Sequence, residues 1–215
     1  MARPPRRERE IERIREDILH AAARAFAEKG FHAATMQDIA REAGYTAASL
    51  YTYFESKERI FSALFESVRR ESAATFEEPV PEGLTLRQRL ELLIYRQFRL
   101  FDKHRDAFTV FLAGLAEGRP LADREVGPGR SGGFFVMVDN LIRFLRAAGW
   151  EEEYPAVSPE DAALVLAGIH NAFFIAWVGG DKDSRLSDRA GDVVSYFFHG
   201  VSGQERAPGK KPSRA

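Results

Sequence analysis

A glycine pattern and five histidines are the residues of this chain whose types could support cofactor or metal chemistry. Gly127, Gly129 and Gly132 have the GxGxxG spacing that binds the pyrophosphate of a dinucleotide when a strand precedes it in a β-α-β unit. The polar sequence ADREV precedes it here, and its surroundings are helical in pattern. The histidines have neither the HExxH spacing nor any other ligand spacing: His20, His32, His104, His170 and His199. Each histidine is better explained as a surface or core residue, so we expect no cofactor, no metal site and no enzyme.

Tyr53 and Lys57 have the YxxxK spacing of the proton relay in short-chain dehydrogenases. In those enzymes the glycine-rich loop comes first in the chain, whereas here it comes last. Both residues also lie in the segment 35–57, which is rich in hydroxyl groups. Hydroxyl and ammonium groups donate hydrogen bonds to phosphate oxygens, so this segment could instead bind a nucleic-acid backbone.

The segment 35–57 is predicted to form two short helices joined by a glycine turn, followed by the start of a third helix. Thr35 and Asp38 have the spacing of a capping box for the first helix. Gly44 lies where a helix end needs a left-handed residue. Thr46 and Ser56 can cap the next two helices. This is the layout of a helix-turn-helix that docks on DNA, although any helical hairpin shares part of it.

The second of these helices has an inward and an outward side. Leu50 and Phe54 lie one turn apart and are expected to point into the core. The outward side is then formed by Ala47, Ala48, Tyr51 and Thr52. Outward-facing tyrosine and three consecutive caps favour a DNA-binding helix over a plain hairpin.

The run TMQDIAREAGYTAASLYTYFESK resembles the N-terminal domain of the TetR family of bacterial transcription regulators. The caps, the turn glycine, the paired aromatics and the closing Ser-Lys keep the order of that family's pattern, over about the first quarter of the chain. Three positions depart from it: Tyr45 replaces a small aliphatic residue, Ala47 a frequent lysine and Ala48 a frequent glycine. These departures concern which DNA is bound and how tightly, and leave the fold prediction unchanged.

We predict phosphate contacts from Thr35, Tyr51, Tyr53 and Lys57, which would position the protein without reading sequence. Base contacts are predicted for Thr46, Ala47 and Ala48, with Tyr45 and Gln37 as further candidates. Alanine offers only apolar contact, for instance with thymine methyl groups, so part of the specificity should come from DNA shape. For Tyr51 and Tyr53, packing in the core is the alternative.

The composition describes a globular protein. It has 215 residues, 45% of them hydrophobic and 29% charged, with no cysteine and a net charge of −1. Neither a secretory signal nor a transmembrane run is found, so we expect a soluble, cytoplasmic protein. Positive charge is concentrated at the N-terminus, in Arg3, Arg6, Arg7 and Arg9. This arm could follow DNA phosphates or enter a minor groove, or it could be an ordinary solvated tail.

The spacing of apolar residues predicts about nine helices and no strands, an all-α fold. Outside the helix-turn-helix, the helices are predicted at residues 8–29, from 57 to about 78, 86–104, 106–117, 134–149, 158–178 and 187–199. Prolines within 78–83 mark a domain boundary. We therefore divide the chain into an arm and DNA-binding domain (1–56), a linking helix (57–78), an effector-binding and dimerisation domain (79–202) and a disordered tail (203–215).

The eighth predicted helix, 158–178, is apolar nearly all round, so it must be covered on every side. Its small residues would permit close approach of another helix: Ala163, Ala167, Gly168, Ala172 and Ala176. The eighth and ninth predicted helices would then form a four-helix homodimer bundle with a second chain, which the TetR resemblance also implies. The alternative is that this surface closes over a ligand cavity within one subunit. A dimer predicts a palindromic operator with half-sites about 34–36 Å apart.

The TetR resemblance further implies that the second domain binds a small effector, and the helix after Ser56 would carry the signal. Seventeen phenylalanines favour an apolar or aromatic ligand. The candidates are Phe98, Phe101, Phe108, Phe111, Phe134, His170, Asn171, Phe173, Phe174 and Trp177. Plain core packing is the alternative for the aromatics, whereas His170 and Asn171 are polar groups on an apolar helix and each needs a partner.

The sequence therefore predicts a two-domain, homodimeric transcription regulator, a repressor released from double-stranded DNA by a small molecule. One rival is a helical enzyme or lipid carrier that uses the same cavity. The other is an architectural DNA-binding protein without an effector, which the near-neutral charge and the large apolar second half disfavour.

Overall fold

The computed structural model describes residues 6–116, 133–181 and 183–199, with the backbone alone for 114–116. Within these ranges the chain is helical and has no strand, which confirms the all-α prediction. The helices are α1 (Arg6–Lys29), α2 (Met36–Ala43), α3 (Ala47–Tyr51), α4 (Lys57–Glu77), α5 (Leu86–Lys103), α6 (Arg105–Ala116), α7 (Gly133–Ala147), α8 (Trp150–Glu153), α9 (Pro159–Val178) and α10 (Ala190–His199), with a 3-10 turn at Leu186–Arg189.

The helices begin where the capping residues predict. Ser158 accepts a hydrogen bond from the backbone of Asp161, and Pro159 occupies the first position of α9. The short helix α8 was not predicted, because four residues give no readable period. The eighth and ninth predicted helices are therefore α9 and α10. The predicted tail and almost all of the segment between the sixth and seventh predicted helices lie outside the described residues.

Three of the four arginines of the predicted N-terminal arm belong to α1. Arg6, Arg7 and Arg9 are exposed but belong to the first turns of α1, whereas Arg3 lies outside the described residues. Arginine and glutamate are good helix formers, and the nearest proline precedes Arg6, so nothing breaks the helix at residue 8.

The first four helices surround one apolar core, which we call the DNA-half core. Its largest fully buried members are Ile18 and Phe26 of α1, Ile39 of α2, Leu50 of α3 and Ile60 of α4. A second, larger core joins α5, α7, α9 and α10, and includes Leu90, Leu141, Leu166 and Val193. The α9 helix packs against α7 and α10 in this second core.

Helix α6 touches both cores. Its Val110 lies in the DNA-half core, and Ala107 packs with Leu64 and Val68 of α4. Phe108 of the same helix lies against the second core. Helices α4 and α6 thus connect the two halves.

Among the described residues, α9 has the length and apolar composition of a membrane-spanning helix, and 39% of its apolar stretch is buried inside the protein. Its buried side packs on neighbouring helices as the central helix of a globular domain does. Its other side is exposed and apolar.

Candidate functional site

The helix-turn-helix is formed by α2 and α3 and the turn between them. Thr35 accepts a hydrogen bond from the backbone of Asp38 at 3.1 Å, and the Asp38 carboxylate accepts one from the backbone of Thr35 at 3.1 Å. Gly44 has φ of 75°, the left-handed conformation that ends α2. Thr46 then caps α3 by accepting from the backbone of Ser49. The predicted capping box, turn glycine and second cap are all confirmed.

The Asp38 carboxylate at the start of α2 is neutralised by neighbouring cations. Asp38 forms ion pairs of 2.6 Å with Lys29 and with Arg41. Hydrogen bonds from Lys29, Thr35 and Arg41 hold the pKa of Asp38 far below its ordinary value. Arg41 remains 71% exposed beside the turn. The carboxylate therefore stabilises the helix start without presenting an unpaired negative charge to DNA.

Helix α3 and its end have Ala48, Tyr51 and Thr52 exposed as predicted, whereas Ala47, predicted for the same side, is half-buried. Leu50 is fully buried and Phe54 is 4% exposed, so both anchor the helix to the DNA-half core as predicted. Tyr51 is 53% exposed, which places it outside the core. The predicted contact residues that are exposed are Thr35, Gln37, Thr46, Ala48 and Tyr51. Those that are half-buried against the DNA-half core are Tyr45, Ala47 and Tyr53.

Lys57 differs from its predicted role at a phosphate. Its ammonium group donates to the carbonyl oxygens of Phe31, His32 and Ala34, each at 2.9 Å. An ammonium group has three protons, and these contacts use all of them. Lys57 therefore holds the connection between α1 and α2, and its hydrogen bonds favour a structural role over a DNA contact.

Arg15 contributes to this surface although the sequence did not single it out. Its guanidinium donates to the carbonyl oxygen of Tyr53 at 2.8 Å and lies 4.2 Å from the centre of the Phe54 ring. It thereby fixes the end of α3 on α1. The contact joins residues 38 positions apart, so no local pattern could have revealed it.

The predicted effector residues divide into a central group and others. The central group, which we call the His170 cluster, consists of His170, Phe98, Phe101, Phe108 and Phe174. The His170 ring stacks on Phe98 at 4.7 Å and meets Phe101 edge-on at 5.4 Å. Phe174 lies 5.0 Å from both Phe101 and Phe108. Helices α5, α6 and α9 thus contribute to one aromatic cluster.

His170 is the polar centre of this cluster. It is 3% exposed, and its Nε2 has no hydrogen-bond partner. Burial lowers the pKa of His170 to about 3, so the imidazole is neutral at pH 7. A buried polar atom without a partner costs about 1–3 kcal/mol. Among the described residues, Nε2 is the buried side-chain polar atom that lacks a partner, so it could bind a ligand's polar group.

The other predicted effector residues do not join the His170 cluster. Phe111 packs on the DNA-half core, 5.4 Å from Phe65. Phe173 lies beside Tyr196, with the Arg189 guanidinium 4.7 Å from its ring centre. Neighbouring residues on a helix point about 100° apart, so one aromatic face cannot include all of them.

The remaining predicted effector residues, Phe134, Asn171 and Trp177, also lie outside the His170 cluster. Phe134 is half-buried at the start of α7, next to Phe135. Asn171 is half-buried on α9, one residue beyond His170. Trp177 is buried and donates to the carbonyl oxygen of Ser184 at 2.9 Å, so it closes the end of α9.

The exposed side of α9 is apolar. Leu164, Val165 and Ile175 are 50%, 54% and 49% exposed. Exposed small residues lie between them: Gly168, Ala172 and Ala176. We call this surface the α9 stripe. Ala163 and Ala167, predicted for the same surface, are instead buried in the second core, because they lie on the opposite side of the helix.

Gly127, Gly129 and Gly132 lie outside the described residues. Within the described ranges, no group of three or more His, Asp or Glu side chains is arranged to hold a metal ion.

Comparison with known proteins identifies the family. The model of bacterial regulatory proteins of the tetR family matches residues 18–64. The fatty acid metabolism regulator protein of Bacillus subtilis is 34% identical over 184 residues, which cover 86% of this chain and 93% of that protein. The transcriptional repressor KstR2 of Rhodococcus jostii is 33% identical over 97 residues, 45% of this chain and about half (48%) of that protein's length.

A solved structure has the same fold. The regulator FadR from Bacillus subtilis, in complex with stearoyl-CoA, superposes with a TM-score of 0.64 at 22% identity, over 86% of this chain and 98% of that one. The helix-turn-helix geometry and the full-length relative agree with the resemblance in residues 35–57. The chain therefore belongs to the TetR family of bacterial regulatory proteins and is a DNA-binding transcription regulator.

Proposed function

We propose that this regulator is a repressor that binds a palindromic operator as a homodimer and is released by an apolar effector with an uncharged polar group. The observation that carries the proposal is the exposed edge of α3, formed by Thr46, Ala48 and Tyr51 on a closed apolar core. A rigid helix with polar and methyl groups on its outer edge suits the major groove. Because bacterial DNA lies in the cytoplasm, we expect the protein to act there.

On this proposal, the hydroxyl groups of Thr35, Tyr51 and Tyr53 bind phosphates, and Thr46 and Ala48 meet base edges. Ala47, Tyr45 and Gln37 would lie at the margin of the same contact. Arg41 would supply a positive charge beside the turn, since it is largely exposed. Lys57 would support this surface from within.

The α9 stripe is the proposed centre of the dimer, with α10 beside it. A contiguous apolar stripe on a helix rarely stays in water, and its small residues allow another helix to approach closely. In this arrangement the buried side of α9, with His170, faces the effector site, and the opposite side faces the second chain. One helix would thereby connect the effector with the subunit interface.

The effector is proposed to place its apolar body in the His170 cluster and its polar group at Nε2. A neutral imidazole can donate or accept there, depending on its tautomer, but it offers no charge to a carboxylate. The acyl chain and the thioester carbonyl of a fatty acyl-CoA fit this description, with the carbonyl oxygen accepting from Nε2–H and the charged CoA group lying outside the cluster. Two comparisons support it: the 34%-identical relative is a fatty acid metabolism regulator, and the FadR structure contains stearoyl-CoA.

The proposal is tested by selecting bound DNA from a random pool and then adding stearoyl-CoA to the purified complex. We expect a palindromic consensus, and stearoyl-CoA should lower operator affinity at least about tenfold, within the usual range of allosteric coupling. Free stearate, which has the same chain but a charged carboxylate, is the control for the uncharged polar group. Octadecane, which has the chain alone, is the control for the apolar part of the ligand. A consensus without twofold symmetry would exclude the dimer arrangement, and release by octadecane alone would exclude the role of Nε2.

A further inference from the structure

Four consecutive residues at the turn between α5 and α6 contact different parts of the molecule. Asp102, Lys103, His104 and Arg105, which we call the junction segment, span the last residues of α5 and the first of α6. Two of them bind the elements that lead into the dimer helices. The other two bind the elements of the DNA half.

Asp102 and Arg105 hold the connection between α9 and α10. The Asp102 carboxylate accepts hydrogen bonds from the backbone of Leu186 at 2.7 Å and of Ser187 at 3.2 Å, so it caps the 3-10 turn before α10. The Arg105 guanidinium donates to the carbonyl oxygens of Trp177 at 2.8 Å and Asp181 at 2.9 Å. It also lies 4.3 Å from the Trp177 ring centre. The end of α9 and the 3-10 turn before α10 are therefore both hydrogen-bonded to the junction segment.

Lys103 and His104 hold the DNA half. The Lys103 ammonium and the His104 Nε2 lie 2.7 Å and 3.2 Å from the same carboxylate oxygen of Glu71, on α4. The His104 ring also stacks on His20 of α1, 5.8 Å between centres and 5° from parallel. His104 itself is 6% exposed and contacts both α1 and α4, whereas His20 is exposed.

A second set of hydrogen bonds joins α4 to α5. Gln97 of α5 is fully buried, accepts from the Ser72 hydroxyl at 2.9 Å and donates to the Ser72 carbonyl oxygen at 3.0 Å. Its amide also donates to Thr75. The last two turns of α4 are thus fixed to α5, whereas its first turns belong to the DNA-half core.

We propose that the junction segment is the mechanical link through which a displacement of the dimer helices reaches the DNA-binding helices. This rests on the proposed function, in which the effector acts on α9. A displacement of the end of α9 moves Arg105 and with it the start of α6. Lys103 and His104, which contact Glu71, then displace α4. These four residues act as positioning residues and contact neither DNA nor effector.

The first test needs neither effector nor operator. Arg105→Met removes the contacts to the end of α9 while keeping an apolar chain beside Trp177. The hydrogen-exchange rates of backbone amides 66–77 in α4 should then rise at least about threefold. The α5–α6 turn that supports these residues would no longer be held against the end of α9. Arg143→Met is the matched control, since the Arg143 guanidinium is exposed on α7 and hydrogen-bonds its neighbour Asn140. Unchanged exchange in α4 would overturn the proposal.

The second test separates coupling from folding. Arg105→Met and the milder Asp102→Asn should bind stearoyl-CoA with the parent's affinity, measured by calorimetry. Operator release by stearoyl-CoA should nevertheless fall from about tenfold or more to less than about threefold. Full release in both variants would contradict the proposed link. If the parent itself does not respond to stearoyl-CoA, the proposed effector is wrong, and the hydrogen-exchange result still decides the role of the junction segment.

Discussion

The Lys57 ammonium group lies 2.9 Å from the Phe31 carbonyl oxygen and 4.9 Å from the centre of the Phe31 ring. A side chain at the start of α4 thereby closes the connection between α1 and α2, which precedes the helix-turn-helix. The two residues are 26 positions apart. The shape of the DNA-binding surface thus depends on a contact that lies behind it.

Replacing Lys57 by Met should lower the free energy of unfolding by about 2 kcal/mol, because hydrogen bonds to a charged group are lost and three carbonyl groups lose a donor. Urea unfolding monitored by circular dichroism measures this. Arg59→Met is the matched control, since it removes an exposed cation from the same turn of α4. If Lys57→Met instead keeps the parent's stability and reduces the salt dependence of DNA binding, Lys57 acts at a phosphate after all.

Tyr51→Phe should weaken operator binding about three- to tenfold, because one hydroxyl-to-phosphate hydrogen bond is worth about 1 kcal/mol. The loss should be the same for every operator variant, since phosphate contacts carry no sequence information. Fluorescence anisotropy with labelled DNA measures it. Tyr95→Phe is the control, because Tyr95 is 42% exposed on α5, away from α3. Equal effects of both changes would remove Tyr51 from the interface.

Methyl contacts from Ala48 predict a dependence on thymine methyl groups. Replacing thymine by uracil at the centre of each half-site should reduce affinity about three- to fourfold per site, the worth of one buried methyl group. The same replacement in the flanks is the control. Ala47→Lys should then shift the selected bases towards guanine. Indifference to uracil at the centre would mean that apolar readout plays no part.

Val165→Glu should convert the proposed dimer to a monomer, because it places a carboxylate in the apolar α9 stripe. Native mass spectrometry and light scattering measure the oligomeric state. Ile11→Glu is the comparison, since Ile11 is 40% exposed on a helix of the DNA half. That variant should remain dimeric. A dimeric Val165→Glu protein would move the interface away from α9.

His170 should make the protein sensitive to acid. Its folded-state pKa of about 3 lies below the ordinary value of 6.5. Its contribution to stability is therefore complete above pH 6.5 and is lost as the pH falls towards 3, because only the unfolded chain binds the proton. Between pH 7.5 and 5 the loss amounts to about 2 kcal/mol.

His170→Leu should remove that part of the pH dependence and abolish release by stearoyl-CoA, with DNA binding intact. His32→Leu, at an exposed position, should behave as the parent does. The double variant with Asn171→Leu tests whether the second polar residue contributes. Release of DNA from His170→Leu at the parent's effector concentration would take His170 out of the site.

The helix-turn-helix could be predicted because its determinants are local. Thr35 and Asp38 cap α2 across three residues, and Gly44 ends it by its own conformation. Leu50 and Phe54 are buried one turn apart. Interactions between residues this close in the chain are determined by the local sequence, so the fold class and the DNA-binding helix could be predicted.

What only the tertiary structure decided are the contacts between distant residues. The sequence could not place Phe111 in the DNA-half core and Phe108 in the His170 cluster, because both lie on the same apolar helix. Nor could it predict that Lys57 binds Phe31, or that Arg105 binds the end of α9, 72 residues away. Helical period shows which side of a helix is apolar, whereas the partner of that side depends on how the helices pack in space.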